Sequence, residues 1–483
     1  MDPNGMKAGN HTALAMASEF PYEPTPGQQE LIRLLSDFLT GNESRGIFLL
    51  KGYAGTGKTT IISSLVRTLR RQEREGVLLA PTGRAAKVMA AYTGERAHTI
   101  HRHIYRLRVQ ADGTQRLVLQ PNRYRHTLFI VDEASMVGGT ETAPASGGLF
   151  GNVSLLDDLV QYVYGGRGCR LVLVGDTAQL PPVSAPEIPS LDASYMERAY
   201  GLQAVQYELK EVVRQARESG ILLNATRLRE MIARGQAGFP SFITEGLPDF
   251  ARLGGEDTGD AINDAFSGRE PDEALVVCRS NKRARLYNQG IRNRVLFREE
   301  EIGGGDLLMV VRNNYFWLPE DSPAGFLANG DILEVTRIRR HESLYGFRFA
   351  DLTVRLCDYP EEPELDVKVV LDILHHDGPS LPVHEQNRLF QAVSEDYLDV
   401  AGRQARLARV RANPHFNALQ VKFAYALTCH KAQGGQWEKV FVDMGYLPPG
   451  EPDADYLRWL YTAITRATKK VYLMNFHDAF FGQ

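Results

Sequence analysis

The stretch Gly52-Tyr53-Ala54-Gly55-Thr56-Gly57-Lys58-Thr59 has the spacing G-x-x-x-x-G-K-T. The apolar run Ile47-Phe48-Leu49-Leu50 before it predicts a buried strand, and the periodic apolar residues from Thr60 to Leu69 predict a helix after it. Strand, glycine-rich loop and helix in this order are the context that the P-loop pattern requires. These flanks disfavour the alternative, a glycine-rich turn before an ordinary helix.

A loop of this kind predicts a nucleotide site. Its backbone N–H groups and the helix N-terminus would cradle phosphates. Lys58 would reach the β- and γ-phosphates, and the Thr59 hydroxyl would hold Mg²⁺. The predicted ATP-binding residues of this segment are Gly52, Gly55, Thr56, Gly57, Lys58, Thr59 and Thr60.

Length and composition set broad limits. The 483 residues predict about three domains. No apolar run approaches the ~20 residues of a membrane span, and the first twenty residues lack a signal-peptide core. We therefore expect a cytoplasmic protein without a membrane, with a flexible tail over residues 1–20. The four cysteines form no C-x-x-C pair, and the net charge of −4 does not indicate nucleic-acid binding, although an acidic protein can carry a local basic groove.

Two further apolar strands end in polar side chains. The run from Leu128 to Val131 is followed by Asp132 and Glu133. In a P-loop protein Asp132 would orient the Mg²⁺ shell, and Glu133 would polarise the attacking water. The run from Leu171 to Val174 leads to Gln179, which is placed to sense a γ-phosphate.

Two alternating runs flank Asp112-Gly113 between residues 104 and 120, which predicts a β-hairpin inserted in the nucleotide-binding domain. The hairpin is either an inert decoration or, given its arginines, a functional arm. The glycine-rich stretch from Gly138 to Asn152 predicts a surface loop.

His98, His101 and His103 lie close together in the sequence. No carboxylate or cysteine joins them, so contacts to a phosphate backbone or a local helix cap are favoured over a metal site. The loop that begins Pro81-Thr82 follows another predicted strand, and its small and hydroxyl residues suit either a binding loop or a plain turn.

The order of the predicted elements indicates two α/β domains. Four βα repeats extend to about residue 200, and a second set begins near residue 201. Between residues 291 and 419 the alternation of strands and helices is replaced by antiparallel strands of a small barrel and a charged helical stretch. The alternation resumes near residue 420.

Taken together, these segments resemble a superfamily 1 DNA helicase of the 1B branch, the RecD-like and Dda-like enzymes. G-Y-A-G-T-G-K-T is similar to motif I, A-P-T-G-R-A-A-K to motif Ia with H-T-I-H after it, V-D-E-A to motif II, and G-D-T-A-Q-L-P-P-V to motif III. E-L-K-E-V-V-R is similar to motif IV, T-C-H-K-A-Q-G to motif V, and Y-T-A-I-T-R-A to motif VI. The resemblance extends from about Thr25 to Val471.

The resemblance implies an α/β fold with two RecA-like P-loop domains, an inserted β-hairpin (the pin) and an inserted small SH3-like β-barrel. The implied boundaries are 21–200 for the first RecA-like domain, with the pin at 104–126, then 201–290 and 420–483 for the second, and 291–419 for the barrel domain with its helical extension.

The resemblance also implies an ATP hydrolase that moves 5′ to 3′ on single-stranded DNA and unwinds duplex DNA. Gln28 would bind the adenine edge, and Arg214 and Arg466 would act as arginine fingers beside the catalytic Lys58, Glu133 and Gln179. The implied cofactors are ATP and Mg²⁺. The implied DNA-backbone contacts are Pro81, Thr82, His98, Thr99, His430, Lys431 and Gln433.

The implied partners are single-stranded DNA and duplex junctions, with single-strand-binding, replication or repair proteins as candidates, and the motor is expected to be monomeric. Asp112-Gly113-Thr114 at the hairpin tip departs from some relatives, because it offers no aromatic ring to stack on a base pair. Two alternatives stay open: a single-stranded-DNA-stimulated translocase that displaces proteins, and a motor subunit of a recombination or repair complex.

Overall fold

A computed structural model describes residues 3–41, 45–109, 115–138, 154–182, 187–212, 219–268, 273–319, 322, 326–447 and 450–482. Within these ranges, the helices are too short or too polar to cross a membrane.

Two helices precede the first strand, α1 (Pro3–Ser18) and α2 (Pro26–Thr40). The prediction of a flexible tail over residues 1–20 is wrong, because α1 packs on α2 and the side chain of Met16 is completely buried. Met16 belongs to the same apolar cluster as Leu31 and Leu35. Burial of this apolar side chain gives the segment a reason to be ordered that its composition did not reveal.

The chain then continues through the elements of the first sheet and the hairpin. They are β1 (Gly46–Gly52), α3 (Lys58–Arg71), β2 (Gly76–Ala80), α4 (Gly83–Thr93), β3 (Ala97–Thr99), α5 (Ile100–Ile104), β4 (Tyr105–Val109), β5 (Gln115–Leu119), β6 (Leu128–Val131), α6 (Leu155–Gly165), β7 (Arg170–Gly175), α7 (Ala193–Tyr200) and β8 (Gln203–Leu209).

Six of these strands form one parallel sheet in the order β3-β2-β6-β7-β1-β8. Its central strands are continuous apolar runs, as expected for a sheet covered on both faces. β8 pairs with β1 along its whole length, from Gly46 opposite Gln203 to Gly52 opposite Leu209. The predicted domain boundary between residues 200 and 201 is therefore wrong. β8 is an edge strand with little apolar patterning, which is why the sequence did not place it in this sheet.

The predicted hairpin is present as an antiparallel pair, β4 and β5, with Tyr105 opposite Leu119 and Val109 opposite Gln115. Its tip, Asp112-Gly113-Thr114, lies outside the described residues. The same is true of the predicted surface loop from residue 139 to Asn152.

The second half of the chain begins with α8. Its elements are α8 (Gly220–Ala233), β9 (Phe250–Leu253), α9 (Gly255–Phe266), β10 (Ala274–Cys278), α10 (Asn281–Gly290), β11 (Leu307–Val310), β12 (Ile332–Leu344), β13 (Phe347–Leu356), β14 (Leu365–Val370), α11 (Val383–Glu395), α12 (Arg403–Arg411), β15 (Leu419–Phe423), β16 (Ala426–Thr428), α13 (Cys429–Ala432), β17 (Trp437–Asp443), α14 (Ala454–Ile464) and β18 (Ala467–Met474).

Five strands of this half form a second parallel sheet in the order β16-β10-β17-β18-β9. The other five, β11 to β15, close into a small barrel, which confirms the predicted barrel. The barrel includes β15, so it extends past the boundary predicted between residues 419 and 420. Its neighbours α11 and α12 pack on it through a separate apolar cluster that contains Leu389, Val393 and Val410.

Candidate nucleotide-binding site

The P-loop connects β1 to α3 and has the backbone conformation that its glycines allow. Gly55 and Gly57 have φ angles of 74° and 88°, in the left-handed region that favours glycine. A β-carbon at Gly52 would lie 2.9 Å from Oγ1 of Thr56, so a side chain there would collide with the loop. The loop therefore forms an open cradle of main chain at the N-terminus of α3, which fits phosphate groups.

Lys58 and Thr59 are the side chains at the mouth of this cradle. Nζ of Lys58 donates to the carbonyl oxygens of Gly52 (2.7 Å) and Tyr53 (2.9 Å), so the ammonium group lies across the loop. The Thr59 side chain is exposed, and its hydroxyl has no hydrogen-bond partner among the described residues. Both groups are accessible to an anion and its counter-ion.

Gln28 is buried beside the loop, with 3% of its surface exposed. Its Oε1 accepts from the Thr25 N–H (3.0 Å), which completes a capping box at the start of α2, and its Nε2 donates to the Thr56 carbonyl (3.3 Å). The amide predicted to bind adenine therefore also ties α2 to the P-loop.

Asp132 and Glu133 follow β6, as predicted. The Asp132 carboxylate accepts from the Tyr92 hydroxyl (2.6 Å) and from the Glu133 N–H (2.8 Å). Burial and the negative charge of Glu133 raise the pKa of Asp132, and the nearby Lys58 ammonium opposes that rise. A buried carboxylate held in this way, and a threonine hydroxyl such as that of Thr59, are oxygen ligands of the kind that Mg²⁺ prefers.

Arg466, at the end of α14, reaches this carboxylate pair from the second half of the chain. Its Nη1 lies 3.7 Å from Oε1 of Glu133. The guanidinium is 4% exposed, and it is held by the carbonyl oxygens of Thr462 (3.1 Å) and Gly435 (3.4 Å). Glu133 itself has a left-handed backbone with φ of 51°, an uncommon conformation outside glycine that turns its side chain away from the strand direction.

Tyr461, on the same helix α14, joins the P-loop to the strand end at Asp176. Its hydroxyl accepts from the Ala54 N–H (2.9 Å) and donates to Oδ2 of Asp176 (2.5 Å). All the atoms involved are buried or half-buried. Burial raises the pKa of Asp176, and the charge of Lys58 and the Tyr461 hydrogen bond oppose that rise.

Gln179 and its neighbour Leu180 lie at the same interface. Gln179 is 5% exposed, and its Oε1 has no hydrogen-bond partner among the described residues, so this buried acceptor is available to a donor such as a water molecule. The Leu180 N–H donates to the Thr462 hydroxyl (2.9 Å), and the Leu180 carbonyl accepts from Nε2 of Gln433 (3.0 Å). Gln433, which is predicted to contact DNA, is buried in this structure, and its amide binds the main chain of the segment that follows β7.

The predicted DNA contacts of the first sheet lie at the ends of β2 and β3. Pro81 and Thr82 are half-buried, and the Thr82 hydroxyl caps α4 by accepting from the Ala85 N–H (3.2 Å). Thr99 is buried and caps α5 in the same way. The His98 ring stacks on His103 with centroids 5.9 Å apart. The two hydroxyls thus fix the starts of α4 and α5, and the contacts of these residues with DNA stay a prediction.

His430 and Lys431 lie on α13, and His430 is exposed. Burial and the charge of Lys422 lower the pKa of Lys431 to about 8. Its charged form is therefore less stable than that of an ordinary surface lysine, and a bound anion would stabilise it. Arg214, the other predicted arginine finger, lies outside the described residues.

Sequence reasoning missed Tyr92, Asp176, Arg458 and Tyr461. Arg458 donates to the carbonyl oxygens of Thr177 and Gln179 across the interface. A tyrosine on an apolar helix indicates a core position, and only its place within the quoted Y-T-A-I-T-R-A segment could have suggested a second role.

The fold and this site define a P-loop nucleotide-binding protein whose site is closed by a second parallel sheet. Two family models match the chain: one described as an AAA domain over residues 24–238, and one described as a UvrD-like helicase C-terminal domain over residues 423–474. The first contains the P-loop and Glu133, and the second contains Arg466, so the two models meet at the site.

Among curated proteins, the chain is 33% identical over 202 residues to the ATP-dependent RecD2 DNA helicase of Deinococcus radiodurans, covering 42% of this chain and 24% of that protein. It is 31% identical over 198 residues to the multifunctional conjugation protein TraI of Escherichia coli, covering 40% of this chain and 10% of that protein. The chain thus matches a quarter or less of the length of these relatives. A solved structure of Pif1 helicases at forked duplex DNA aligns with 94% of this chain and 92% of that chain, at 16% identity and a TM-score of 0.48.

The ordered motifs, the two family models and the RecD2 match agree. Together they support a relationship of this chain to the superfamily 1B helicases of the RecD-like type.

Proposed function

We propose that the protein is an ATP-dependent DNA helicase that moves 5′ to 3′ on single-stranded DNA and unwinds duplex DNA. The observation that carries the proposal is the approach of Arg466, which lies between α14 and β18 in the second half of the chain, to Glu133, which follows β6 of the first sheet, at 3.7 Å. A guanidinium in this place is suited to stabilise the charge that develops on a transferred phosphoryl group.

The residues divide the chemistry between the two sheets. The P-loop amides and Lys58 bind the phosphates, Glu133 orients and deprotonates the attacking water, and Gln179 accepts a hydrogen bond near the γ-phosphate. Mg²⁺, held by Thr59 and Asp132, would neutralise charge on the phosphate oxygens. Arg214 is proposed as a second arginine finger.

The same interface links nucleotide state to the DNA path. A β-carbon at Gly434 would lie 2.9 Å from Cβ of Ala85 and 3.1 Å from Oγ1 of Thr82, so the segment after α13 is in close contact with the start of α4. The Arg84 guanidinium lies 4.1 Å from the centroid of the Trp437 ring. Opening the nucleotide cleft would therefore move the predicted DNA contacts of α4 relative to those of α13, His430 and Lys431.

The 5′-to-3′ direction and the DNA substrate rest on the resemblance to the 1B branch. The relative from Deinococcus radiodurans is named an ATP-dependent DNA helicase, which supports both ATP use and a DNA substrate. We propose a monomeric motor with two RecA-like domains, which engages single-stranded DNA at duplex junctions and for which single-strand-binding, replication or repair proteins are candidate partners.

The β4–β5 hairpin is proposed as the pin that separates strands. It forms a two-stranded sheet of its own, separate from the first sheet, and such an arm suits a wedge. The second candidate function, a translocase that displaces proteins without unwinding much duplex, is favoured by one feature: Asp112-Gly113-Thr114 supplies no aromatic ring at the tip.

A tailed-duplex assay tests the function. We expect ATPase activity that rises with single-stranded DNA, and unwinding of a duplex with a 5′ tail but not of one with a 3′ tail. Glu133→Gln should bind ATP but lower the hydrolysis rate by about 10²- to 10⁴-fold, the usual contribution of a general base. The matched control is Glu30→Gln, a half-buried carboxylate on α2 that is paired with Arg33. An ATPase rate that is the same with and without polynucleotides, or unwinding of the duplex with a 3′ tail, would refute the proposal.

Replacement of residues 106–120 by a short Gly-Ser turn separates the two candidates. If the hairpin is the pin, single-stranded-DNA-stimulated ATPase persists while unwinding of the 5′-tailed duplex falls sharply. Unchanged unwinding would mean that strand separation occurs elsewhere. If the unaltered protein hydrolyses ATP in response to single-stranded DNA but does not unwind the 5′-tailed duplex, the translocase is favoured.

A further inference from the structure

A cleft of about 540 Å³ lies at the base of the β4–β5 hairpin. Its walls come from α5, the segment that follows β5, and α6. Three arginines line it, Arg102, Arg106 and Arg123, and its lining residues in the described part of the chain include no carboxylate. The cleft is therefore strongly positive in a protein with a net charge of −4.

None of these three arginines forms an ion pair with a carboxylate that the structure describes. Arg106 and Arg123 are exposed, and Arg102 is half-buried. Burial lowers the pKa of Arg102, and the positive charge of Arg96 adds to this, while Tyr359 and Glu362 oppose it. Arg102 is therefore a half-buried guanidinium whose charge Glu362 offsets only in part, and a bound anion would offset it further.

The inner wall of the cleft is a row of rings. His103 stacks on Tyr124 with centroids 5.6 Å apart and on His98 at 5.9 Å. Burial and the neighbouring positive charges lower the pKa of His103 to about 4, so its ring is neutral at neutral pH. Nε2 of His103 is buried and has no hydrogen-bond partner among the described residues. Arginines and aromatic rings that line one groove are the combination with which proteins bind single-stranded nucleic acid.

We propose that this cleft binds a single-stranded segment of nucleic acid by its phosphodiester backbone, through Arg102, Arg106 and Arg123, at the base of the hairpin. The proposal rests on the proposed function and adds a contact to it, since of the DNA contacts predicted from the sequence only His98 lines the cleft. The segment has two sources, the strand along which the motor moves and the strand that it displaces.

The test is the salt dependence of binding by the triple variant Arg102→Gln/Arg106→Gln/Arg123→Gln. Fluorescence anisotropy over a series of KCl concentrations would use an oligo-dT strand and a forked duplex with two non-complementary tails. Each single-strand phosphate contact contributes about 0.7 to the slope of log affinity against log salt, so the variant should lose about 2 from that slope. Loss on both probes assigns the cleft to the strand along which the motor moves, and loss on the fork alone assigns it to the displaced strand.

The matched control is Arg33→Gln/Arg71→Gln/Arg234→Gln, which removes the same charge from arginines that are already paired with carboxylates and do not line the cleft. A wild-type slope for the cleft variant on both probes, or an equal loss in the control, overturns the cleft and leaves the helicase proposal intact. A wild-type protein that binds neither probe overturns both. If the triple variant fails to fold, Arg106→Gln/Arg123→Gln changes only exposed side chains and should lose about 1.4 from the slope.

Discussion

The nucleotide cleft and the hairpin-base cleft both depend on arginines, but they hold them in opposite ways. Arg466 is 4% exposed, bound to two main-chain carbonyls and directed at Glu133. Arg106 and Arg123 are exposed and have no ion-pair partner among the described residues. One site has its charge fixed in place by protein contacts, whereas the other presents charge that only a ligand can neutralise.

This difference determines what each site can do. In a buried site, electrostatic interactions are strong and the geometry is set before the reaction, so a single side chain can control a rate. At an exposed site, each charge is screened by salt within about 10 Å, so side chains contribute small, additive increments to affinity. We therefore expect substitutions in the first cleft to change turnover, and substitutions in the second to change the salt dependence of binding.

The largest expected effect is that of Arg466→Gln. Loss of an arginine finger lowers the turnover of related phosphoryl-transfer enzymes by about 10³- to 10⁵-fold, because the transition-state charge loses its stabilising cation. We expect at least about a thousandfold fall in kcat for single-stranded-DNA-stimulated ATP hydrolysis, measured in steady state, with ATP still bound.

Arg458→Gln is the matched control for this variant. Arg458 also extends from α14 to the first sheet, where it binds the carbonyl oxygens of Thr177 and Gln179, but it makes no contact with Glu133. Loss of the Arg458 guanidinium should weaken the contact between α14 and the segment after β7. It should not remove the cation that stabilises the transition state. Equal falls in kcat for the two variants would show that Arg466 acts only through the interface.

The parts of this site that are local in the chain could be predicted from the sequence. The P-loop, the Asp132-Glu133 pair and the closed barrel follow from spacing, apolar runs and turn residues within short windows. Gln433 and Tyr461 could not be assigned in this way, since their partners Leu180 and Ala54 are 253 and 407 residues away in the chain. A polar side chain that binds the main chain of another sheet has no sequence signature of its own.

The same limit explains the errors in the fold. The burial of Met16 depends on α2 and α3, and the pairing of β8 with β1 joins strands about 150 residues apart. Composition alone indicated a loose tail and a new domain at these places. In the structure, tertiary contacts make the first segment a packed helix and make β8 a strand of the first sheet.

The second prediction concerns Tyr461→Phe, which keeps the ring and removes the hydroxyl. The Ala54 N–H and the Asp176 carboxylate would lose a buried partner, which costs about 1–3 kcal/mol for each group left unpaired. Because Ala54 lies in the phosphate cradle, we expect a rise of about tenfold or more in KM for ATP, with a smaller change in kcat.

The control for Tyr461→Phe is Tyr456→Phe on the same helix. The Tyr456 hydroxyl donates to the Met444 carbonyl (3.1 Å) and contacts no part of the first sheet that the structure describes. Its removal should leave KM for ATP close to the wild-type value. If KM for ATP does not change in Tyr461→Phe, the Tyr461 side chain contributes only packing and its hydroxyl does not support ATP binding.

The smallest expected effect is that of Arg123→Gln alone, which removes one exposed charge from the hairpin-base cleft. One lost phosphate contact should lower the salt slope of oligo-dT or fork binding by about 0.7, and the difference from wild type should shrink as KCl rises. Arg71→Gln, whose arginine is paired with Glu19, is the control and should leave the slope unchanged. Because Arg123 is exposed and is not among the described contacts of Arg466 or Glu133, kcat at saturating DNA should not change. A fall in kcat that persists at every salt concentration would mean that the hairpin-base cleft is coupled to the nucleotide site, and that the two clefts do not act separately.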